Sequence, residues 1–207
     1  MNNPKYRYID DQSGLDSVLK QIRNHSRIAL DTEADSLYHY FEKVCLIQLT
    51  ARGNNFIIDP LSGLDLADFF QALADKEIIF HDADYDLRIL RTSFGFRPRG
   101  KIFDTMLAAR ILGFRKLGLA SLAEIFFGIK LPKGGQKFNW SKRPLPADKL
   151  AYAAGDTRHL EKLARRLEKK LEETGRTDWH LQLCRDLVEA TRTDRPGKEP
   201  EKIWRIK

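Results

Sequence analysis

The sequence predicts an α/β domain in which a mixed five-stranded sheet is flanked by helices. Three β-rich stretches at residues 28–32, 44–50 and 55–58 follow one another closely enough for antiparallel hairpins, and Gly53-Asn54 is a strong turn signal. After them, apolar runs at 77–80 and 101–103 alternate with helical patterns, which is the order of βα units. We therefore expect antiparallel strands first and βα units afterwards.

The predicted helices follow the apolar spacing of the α-helix. The first carries Leu15, Val18 and Ile22 on one face, and Ser13 or Asp16 is its expected cap. The remaining helices are predicted at residues 64–73, 84–91, 105–112, 119–127, 147–173 and 178–191. Three antiparallel strands, two βα units and terminal helices form the ribonuclease-H-like architecture, although a fold alone does not give a function.

Length and composition indicate one folded domain. The 207 residues contain 42% hydrophobic and 31% charged residues of both signs, which excludes a disordered or fibrous chain. We expect a domain over residues 1–192 and a tail over 193–207, where Trp204 favours packing onto the domain as much as a frayed end. A monomer is favoured, although the sequence does not determine the oligomeric state.

The absence of membrane signals and the cysteine pattern both favour an intracellular protein. No apolar run approaches the roughly 20 residues of a membrane span, and no signal peptide opens the chain, so the cytoplasm is the expected compartment and no membrane partner is expected. Cys45 and Cys184 lie far apart without a CxxC pattern, which predicts buried free thiols.

The positive charge is concentrated in one fifth of the chain. The net charge is +7, and residues 110–149 contain nine basic and two acidic residues. Within this region the loop at 128–141 is rich in glycine and carries Phe138 and Trp140. Loops of about 14 residues are usually functional or disordered. The surplus hints at a polyanionic partner, although a surplus of this size is also common in proteins that bind nothing acidic.

Two carboxylates stand side by side where an apolar run ends. Residues 28–30 are apolar, and Asp31 and Glu33 follow with one residue between them. Because side chains alternate along a strand, both carboxylates face the same side of the sheet. Like charges repel, so the pair is stable around a cation or at a solvated strand end, and this stretch alone leaves both interpretations open.

A second group of acids opens a predicted helix at residues 81–86. Asp82 or Asp84 suits the N-cap. Asp86 lies a turn further inside, where the helix dipole favours an acid less, so it needs another reason or is simply exposed.

The third group is Tyr152 with Asp156. Their separation of four residues places the phenol and the carboxylate on one helix face. The small residues 153–155 between them let another backbone or a substrate come close. Glycine inside a helix costs about 1 kcal/mol relative to alanine, so Gly155 indicates that a local rule is broken for some gain, and function is one candidate for it.

Together these residues resemble the three exonuclease motifs of the DEDD superfamily, in the version with tyrosine in the third motif. Stretches at 45–49, 102–105, 119–122 and 139–145 are also similar to ribonuclease D and Werner-type exonucleases. The resemblance covers residues 10–175 in order. We do not expect this sequence to contain the downstream helical nucleic-acid-binding domains of full-length ribonuclease D. The three motifs are Asp31-Thr32-Glu33, Tyr85-Asp86, and Tyr152 with Asp156.

The resemblance implies a 3′–5′ exonuclease that uses two divalent ions, Mg²⁺ or Mn²⁺, and releases nucleoside 5′-monophosphates. It assigns the metal ions to four acids and the attacking water to Tyr152. With an ordinary pKa near 10, a tyrosine orients this water better than it deprotonates it. Asp104 is expected to be structural. The implied metal ligands are Asp31, Glu33, Asp86 and Asp156.

The same resemblance and the basic loop suggest a set of substrate contacts. Trp140 is equally well explained as a core residue. The proposed contacts are Ser36, Leu37 and Gln48, and more weakly Lys137, Asn139 and Trp140.

The substrate expected from the resemblance is single-stranded RNA with a free 3′ end. DNA stays open, because a contact to a 2′-hydroxyl cannot be read from sequence. A silent nucleic-acid-binding module is a second alternative, but it has no reason to keep four acids and a tyrosine. A scaffold protein with acidic surface charges is a third.

Overall fold

A six-stranded mixed sheet forms the centre of the protein. The structure is a computed structural model that describes residues 6–36, 38, 42–132, 134–135 and 137–193. The strands are β1 (Arg7–Ile9), β2 (Arg27–Ala34), β3 (Val44–Ala51), β4 (Asn54–Ile58), β5 (Glu77–Phe80) and β6 (Ile102–Asp104). Their order across the sheet is β1-β4-β3-β2-β5-β6.

The sheet changes from antiparallel to parallel at β2. This strand pairs antiparallel with β3 and parallel with β5. On its two sides, β3 pairs antiparallel with β4, and β5 pairs parallel with β6. The predicted order of hairpins followed by βα units is confirmed, and the strand that carries Asp31 and Glu33 lies at the centre of the sheet.

Strand β1 corrects the predicted count of five strands. It pairs in parallel with β4 at the edge of the sheet, with Tyr8 opposite Ile57. Three residues are too few to show an alternating pattern, and the partner strand is distant in the chain. Only the tertiary pairing therefore defines this strand.

Eight α-helices lie within the described residues. Two predicted segments are wrong in their extent. The helix expected at 64–73 begins only at Ala67, after a 3-10 turn at Pro60–Ser62, and the pattern at 147–173 divides into two helices at His159. The helices are α1 (Gln12–Arg23), α2 (Ala67–Ala74), α3 (Ala83–Phe94), α4 (Thr105–Ile111), α5 (Leu119–Phe127), α6 (Ala147–Arg158), α7 (Leu160–Glu173) and α8 (Thr177–Ala190).

The division at His159 follows from packing. Helix α6 packs over β2, β3 and β4, whereas α7 packs over β2 and β5. Two straight helices with one break can follow the sheet where one long helix cannot.

The cap of α1 also differs from the prediction, because Asp11, and not Ser13 or Asp16, accepts a hydrogen bond from the Gly14 amide at 2.7 Å.

Different helices cover the two faces of the sheet. On one face, α1, α2 and α3 pack with Ile28 and Leu30 of β2. On the other face, α4, α5 and α7 pack with Ala29, and α6 packs against β3 and β4. By alternation, Thr32 belongs to the face of α3, whereas Asp31 and Glu33 belong to the face of α6.

Two further expectations concern the cysteines and the tail. Cys45 and Cys184 are buried free thiols, as predicted. Among the described helices, none has the length and apolar character that crossing a membrane requires. The predicted packing of Trp204 lies outside the described residues.

Asp104, at the end of β6, caps two helices at once. Its carboxylate accepts hydrogen bonds from two amides in the first turn of α4, at 2.8 and 3.0 Å. It also accepts from the Ala83 amide at 2.8 Å and the Asp82 amide at 3.3 Å, at the start of α3. Asp82 occupies the N-cap position of α3 with a left-handed φ of 69°, but its side chain makes no capping bond. The structural role predicted for Asp104 is confirmed.

We expect Asp104→Ala to lower the free energy of unfolding by about 1–4 kcal/mol, because one lost cap costs about 0.5–2 kcal/mol and two helices lose theirs. Asp11→Ala is the matched control, since it removes the cap of α1 alone and should cost about half as much. Urea unfolding measures both losses. Equal losses for the two variants would contradict the double cap.

Candidate active site

Three carboxylates meet where the end of β2 lies under α6. Asp31, Glu33 and Asp156 each place one oxygen within 4.8 Å of the others. Strand alternation brings the first two together, and the buried Ala153 and Ala154 let α6 lie close to the sheet so that Asp156 reaches them. The structure thus joins residues that are far apart in the chain.

The fourth acid approaches from the opposite face of the sheet. Asp86, on α3, is only 5% exposed, and its Oδ1 accepts a hydrogen bond from the Thr32 hydroxyl at 2.6 Å. Thr32 stands between Asp31 and Glu33 in sequence, but it faces α3. The tripeptide therefore supplies two carboxylates to one side and a hydrogen-bond donor for Asp86 to the other.

Crowding and burial raise the pKa of all four acids. Burial and then the charge of Asp156 raise the pKa of Asp31. Burial, followed by the charges of the other three acids, raises the pKa of Glu33 to about 10. Burial and the charge of Asp86 raise the pKa of Asp156 to about 7. Burial and Asp31 raise the pKa of Asp86, against the opposing hydrogen bond of Thr32.

This donor set fits a hard divalent cation. Asp31, Glu33 and Asp156 offer oxygen ligands only, and ions such as Mg²⁺ and Mn²⁺ prefer carboxylate oxygen. A cation between them would also relieve the repulsion that raises their pKa values. The cluster therefore matches the divalent-metal chemistry that the sequence suggested.

Tyr152 lies one helical turn before Asp156 on α6. Its hydroxyl makes no hydrogen bond to any part of the chain that the structure describes. Burial, and then the charges of Asp156 and Glu33, raise the pKa of this phenol. A phenol that keeps its proton suits the orientation of a water molecule better than its deprotonation.

Two neighbouring cavities share Thr32 and Glu33 as walls. The larger, of about 620 Å³, lies over the cluster and is lined by Asp31, Tyr152 and Asp156, with His81 and Pro132 among the other walls. The smaller, of about 250 Å³, is also lined by Ala34, Ser36, Tyr85, Phe138 and Trp140. Volumes of this order accommodate small ligands, and the two cavities flank the acids.

The three predicted contacts in the first half of the chain fall in different places. Ser36 is exposed and borders the smaller cavity. Leu37 lies outside the described residues. Gln48 is fully buried and stands opposite Asp31 in the β2–β3 register, and neither of its amide atoms has a partner among the described residues.

The three predicted contacts in the basic loop also differ in exposure. Lys137 is exposed, and its carbonyl accepts a hydrogen bond from the Tyr38 hydroxyl at 2.6 Å. Asn139 folds back on the loop and accepts bonds from the amide and hydroxyl of Ser141 at 3.1 and 2.6 Å. Trp140 is 2% exposed, which is the core packing that the sequence left open.

Arg143 of the basic region is neutralised by the buried Asp59. Its guanidinium pairs with Asp59, with one contact at 2.6 Å, and it donates to the carbonyls of Trp140 at 2.6 Å and Cys45 at 2.9 Å. Tyr8 also donates to Asp59. This arginine therefore fastens the loop to the sheet and adds no free charge for a phosphate.

His81 is a residue of the cleft to which the sequence analysis assigned no role. Its Nδ1 lies 2.8 Å from the hydroxyl of Thr105, which itself donates to the carbonyl of Phe80 at 3.0 Å. That hydroxyl can only accept from the ring, so Nδ1 carries the proton. The available signal was its position directly after the buried strand β5, at the edge where Asp86 also lies.

The mixed sheet with its acid cluster defines a protein of the ribonuclease-H-like fold class. The chain belongs to the 3′–5′ exonuclease family, whose model matches residues 6–172. Ribonuclease D of Haemophilus influenzae is 38% identical over 176 residues, which cover 84% of this chain and 44% of that protein. Family membership confirms the resemblance drawn from the three motifs.

Solved structures agree with this assignment. RNase D of Escherichia coli, described as an exoribonuclease involved in structured RNA processing, superposes with a TM-score of 0.84 at 29% identity, over 98% of this chain and 54% of that one. A mutant of the catalytic core of RRP6 from Trypanosoma brucei superposes with a TM-score of 0.83 at 28% identity, over 96% of this chain and 56% of that one. The chain spans about half the length of the curated relatives it matches.

The raised pKa of Asp156 makes stability depend on pH. A folded-state pKa of about 7, above the ordinary value of 3.8, means that the folded protein holds a proton that the unfolded chain releases. This contribution is present below pH 4 and is lost as the pH rises to 7. Relative to wild type, Asp156→Asn should therefore gain up to about 1 kcal/mol per pH unit in that window, measured by urea unfolding without divalent ions.

Mn²⁺ should offset the loss of wild-type stability at high pH. It competes with protons for the cluster, so it should stabilise the wild type more at pH 8 than at pH 5. The matched control is Asp148→Asn on the same helix, whose side chain is 71% exposed and should follow the wild type. Parallel pH profiles for wild type and Asp156→Asn would refute the electrostatic coupling.

Gly155 offers a separate test of how the basic loop packs against α6. A Cβ at this position would meet only the Pro132 Cδ, at an ordinary 3.8 Å. We therefore expect Gly155→Ala to raise the free energy of unfolding by about 0.5–1 kcal/mol. A simultaneous fall in nuclease activity would show that substrate uses this space, whereas a loss of stability would contradict the observed packing.

Proposed function

We propose that this chain is a 3′–5′ exoribonuclease that removes nucleotides stepwise from the free 3′ end of single-stranded RNA and releases nucleoside 5′-monophosphates. The convergence of Asp31, Glu33 and Asp156 within 4.8 Å carries the proposal. Membership of the exonuclease family supports the reaction, and the similarity to ribonuclease D supports RNA as the substrate. The catalytic unit is residues 1–192, in which all five candidate catalytic groups lie.

Two divalent ions, Mg²⁺ or Mn²⁺, complete the proposed site. When bound, such ions stabilise negative charge on the attacking and leaving oxygens and acidify the attacking water. Asp31, Glu33 and Asp156 would hold one ion, and Asp31 with Asp86 would hold the other. Thr32 keeps Asp86 in place through its hydrogen bond.

Tyr152 would orient the attacking water. Its hydroxyl is free of partners among the described residues and lines the same cleft as the acids. Burial raises the pKa of this phenol further above its ordinary value, so the phenol is neutral at neutral pH. It can therefore donate or accept a hydrogen bond while it stays uncharged. Its removal should therefore weaken turnover more than substrate binding.

The substrate would cross the two cavities that flank Glu33. Ser36 and Leu37, directly after the first motif, would contact the terminal nucleotide, and the exposed Lys137 would attract the phosphates. The buried Gln48 and Trp140 would support the wall of the site from inside the protein. Asn139 would stabilise the loop through its hydrogen bonds to Ser141.

A 5′-labelled single-stranded RNA tests the proposal. The purified protein should shorten it stepwise from the 3′ end with Mn²⁺ or Mg²⁺ and not with EDTA. Asp31→Asn should lower the rate by more than about a hundredfold, because even groups that only support a metal ligand are worth about 10–100-fold. The rate is read from the shortening ladder on a denaturing gel.

The matched control is Asp75→Asn, an exposed acid paired with Arg99 outside the cleft, which should keep full activity. Matched DNA oligonucleotides, with and without a 3′ duplex, decide between RNA and DNA in the same assay. A ladder of internal cuts, or activity that survives Asp31→Asn, would refute the exonuclease mechanism.

A further inference from the structure

The basic loop touches α6 at three points along one face of the helix. Lys149 donates to the carbonyl of Gly134 at 3.1 Å, and Gly155 faces Pro132. Between these two points lies Tyr152. Positions 149, 152 and 155 are spaced by three residues, so they follow one side of the helix. The loop therefore covers the helix face that carries the candidate water-orienting group.

Gly135 makes the closest of these approaches. A Cβ at this position would lie 2.1 Å from Cε1, 2.3 Å from Cδ1 and 2.6 Å from Cζ of Tyr152. Real Cβ atoms essentially never come within 3.0 Å of another heavy atom, so no other residue fits beside the ring in its present position. Gly134 has a φ of 108°, but Gly135 is not among the glycines of positive φ. The ring, and not the backbone conformation, requires glycine at 135.

Ring packing alone sets the direction of the Tyr152 hydroxyl, because no described residue bonds to it. The ring centroid lies 6.2 Å from that of Trp140, with the planes inclined by 31°. Within the loop, the Phe138 amide donates to the Gly135 carbonyl at 3.0 Å, and the rings of Phe138 and Trp140 meet edge to face at 5.1 Å. The loop thus presents Gly135 and Trp140 to the phenol as one packed unit.

We propose that Gly135 is a positioning residue, whose missing side chain sets the orientation of the Tyr152 ring and so places its hydroxyl over the acid cluster. This inference rests on the proposed exonuclease function. Its consequence is kinetic, since a misplacement of about 1 Å in a catalytic group can cost about a hundredfold in rate.

The test compares Gly135→Ala in three backgrounds of the full chain. In wild type, the added methyl should lower kcat on the labelled RNA by about a hundredfold and leave KM nearly unchanged. In Tyr152→Phe, which keeps the ring and removes the hydroxyl, the same change should leave kcat unaltered, since no hydroxyl remains to be misplaced.

Melting temperatures test the contact between residue 135 and the Tyr152 ring independently of activity. Gly135→Ala should lower the melting temperature by about 5 °C in wild type and in Tyr152→Phe, because both keep the ring that the methyl meets. In Tyr152→Ala the ring is gone, and the melting temperature should not change. This arm also shows that each variant is folded.

An equal loss of kcat in the wild-type and Tyr152→Phe backgrounds would overturn the inference, because the glycine would then act through the loop alone. An unchanged kcat for Gly135→Ala would overturn it as well. A wild-type protein that does not shorten RNA would overturn the exonuclease proposal together with this one. An active wild type in which Gly135→Ala changes kcat equally with and without the Tyr152 hydroxyl would overturn only the role of Gly135.

Discussion

The crowding of four carboxylates at the end of β2 is the constraint on which the rest of the structure depends. Two unit charges about 4 Å apart repel by about 1–4 kcal/mol at effective dielectric constants between 80 and 20. Bound protons relieve part of this repulsion, and the strand and helices that carry the acids are fixed from outside the cluster. Asp31 and Glu33 lie on a strand paired on both sides, and Asp156 lies on a helix held close by buried alanines. A divalent cation would turn this repulsion into binding energy.

The supports of the site form one connected system. Asp104 fixes the start of α3, this helix carries Asp86, and Thr32 of β2 holds the Asp86 carboxylate. On the other side, Arg143 and Asp59 fasten the basic loop to the sheet, and the loop in turn covers Tyr152. The family assignment explains why the acids are present. The supports explain how a small domain keeps them close together.

Most of the fold followed from local patterns. Strands β2 to β6 and the helices around them have clear periodicity, and α5 coincides with the predicted segment. The errors at β1, α6 and α3 share a cause, which is that the deciding contact lies elsewhere in the chain. Strand β1 exists because β4 pairs with it, α6 packs over β3 and β4 whereas α7 packs over β5, and α3 takes its cap from Asp104. Propensity and periodicity carry no information about such partners.

For the candidate site, the sequence by itself determined the donors and their local geometry. Alternation in β2 placed Asp31 and Glu33 on one side, and the spacing of four placed Tyr152 beside Asp156. Only the tertiary structure decided that Thr32 bonds to Asp86, that His81 enters the cleft, that Gln48 and Trp140 are interior, and that Gly135 meets the Tyr152 ring. Local spacing is a property of one element, whereas these contacts depend on how separate elements pack, and no single stretch of the chain contains that information.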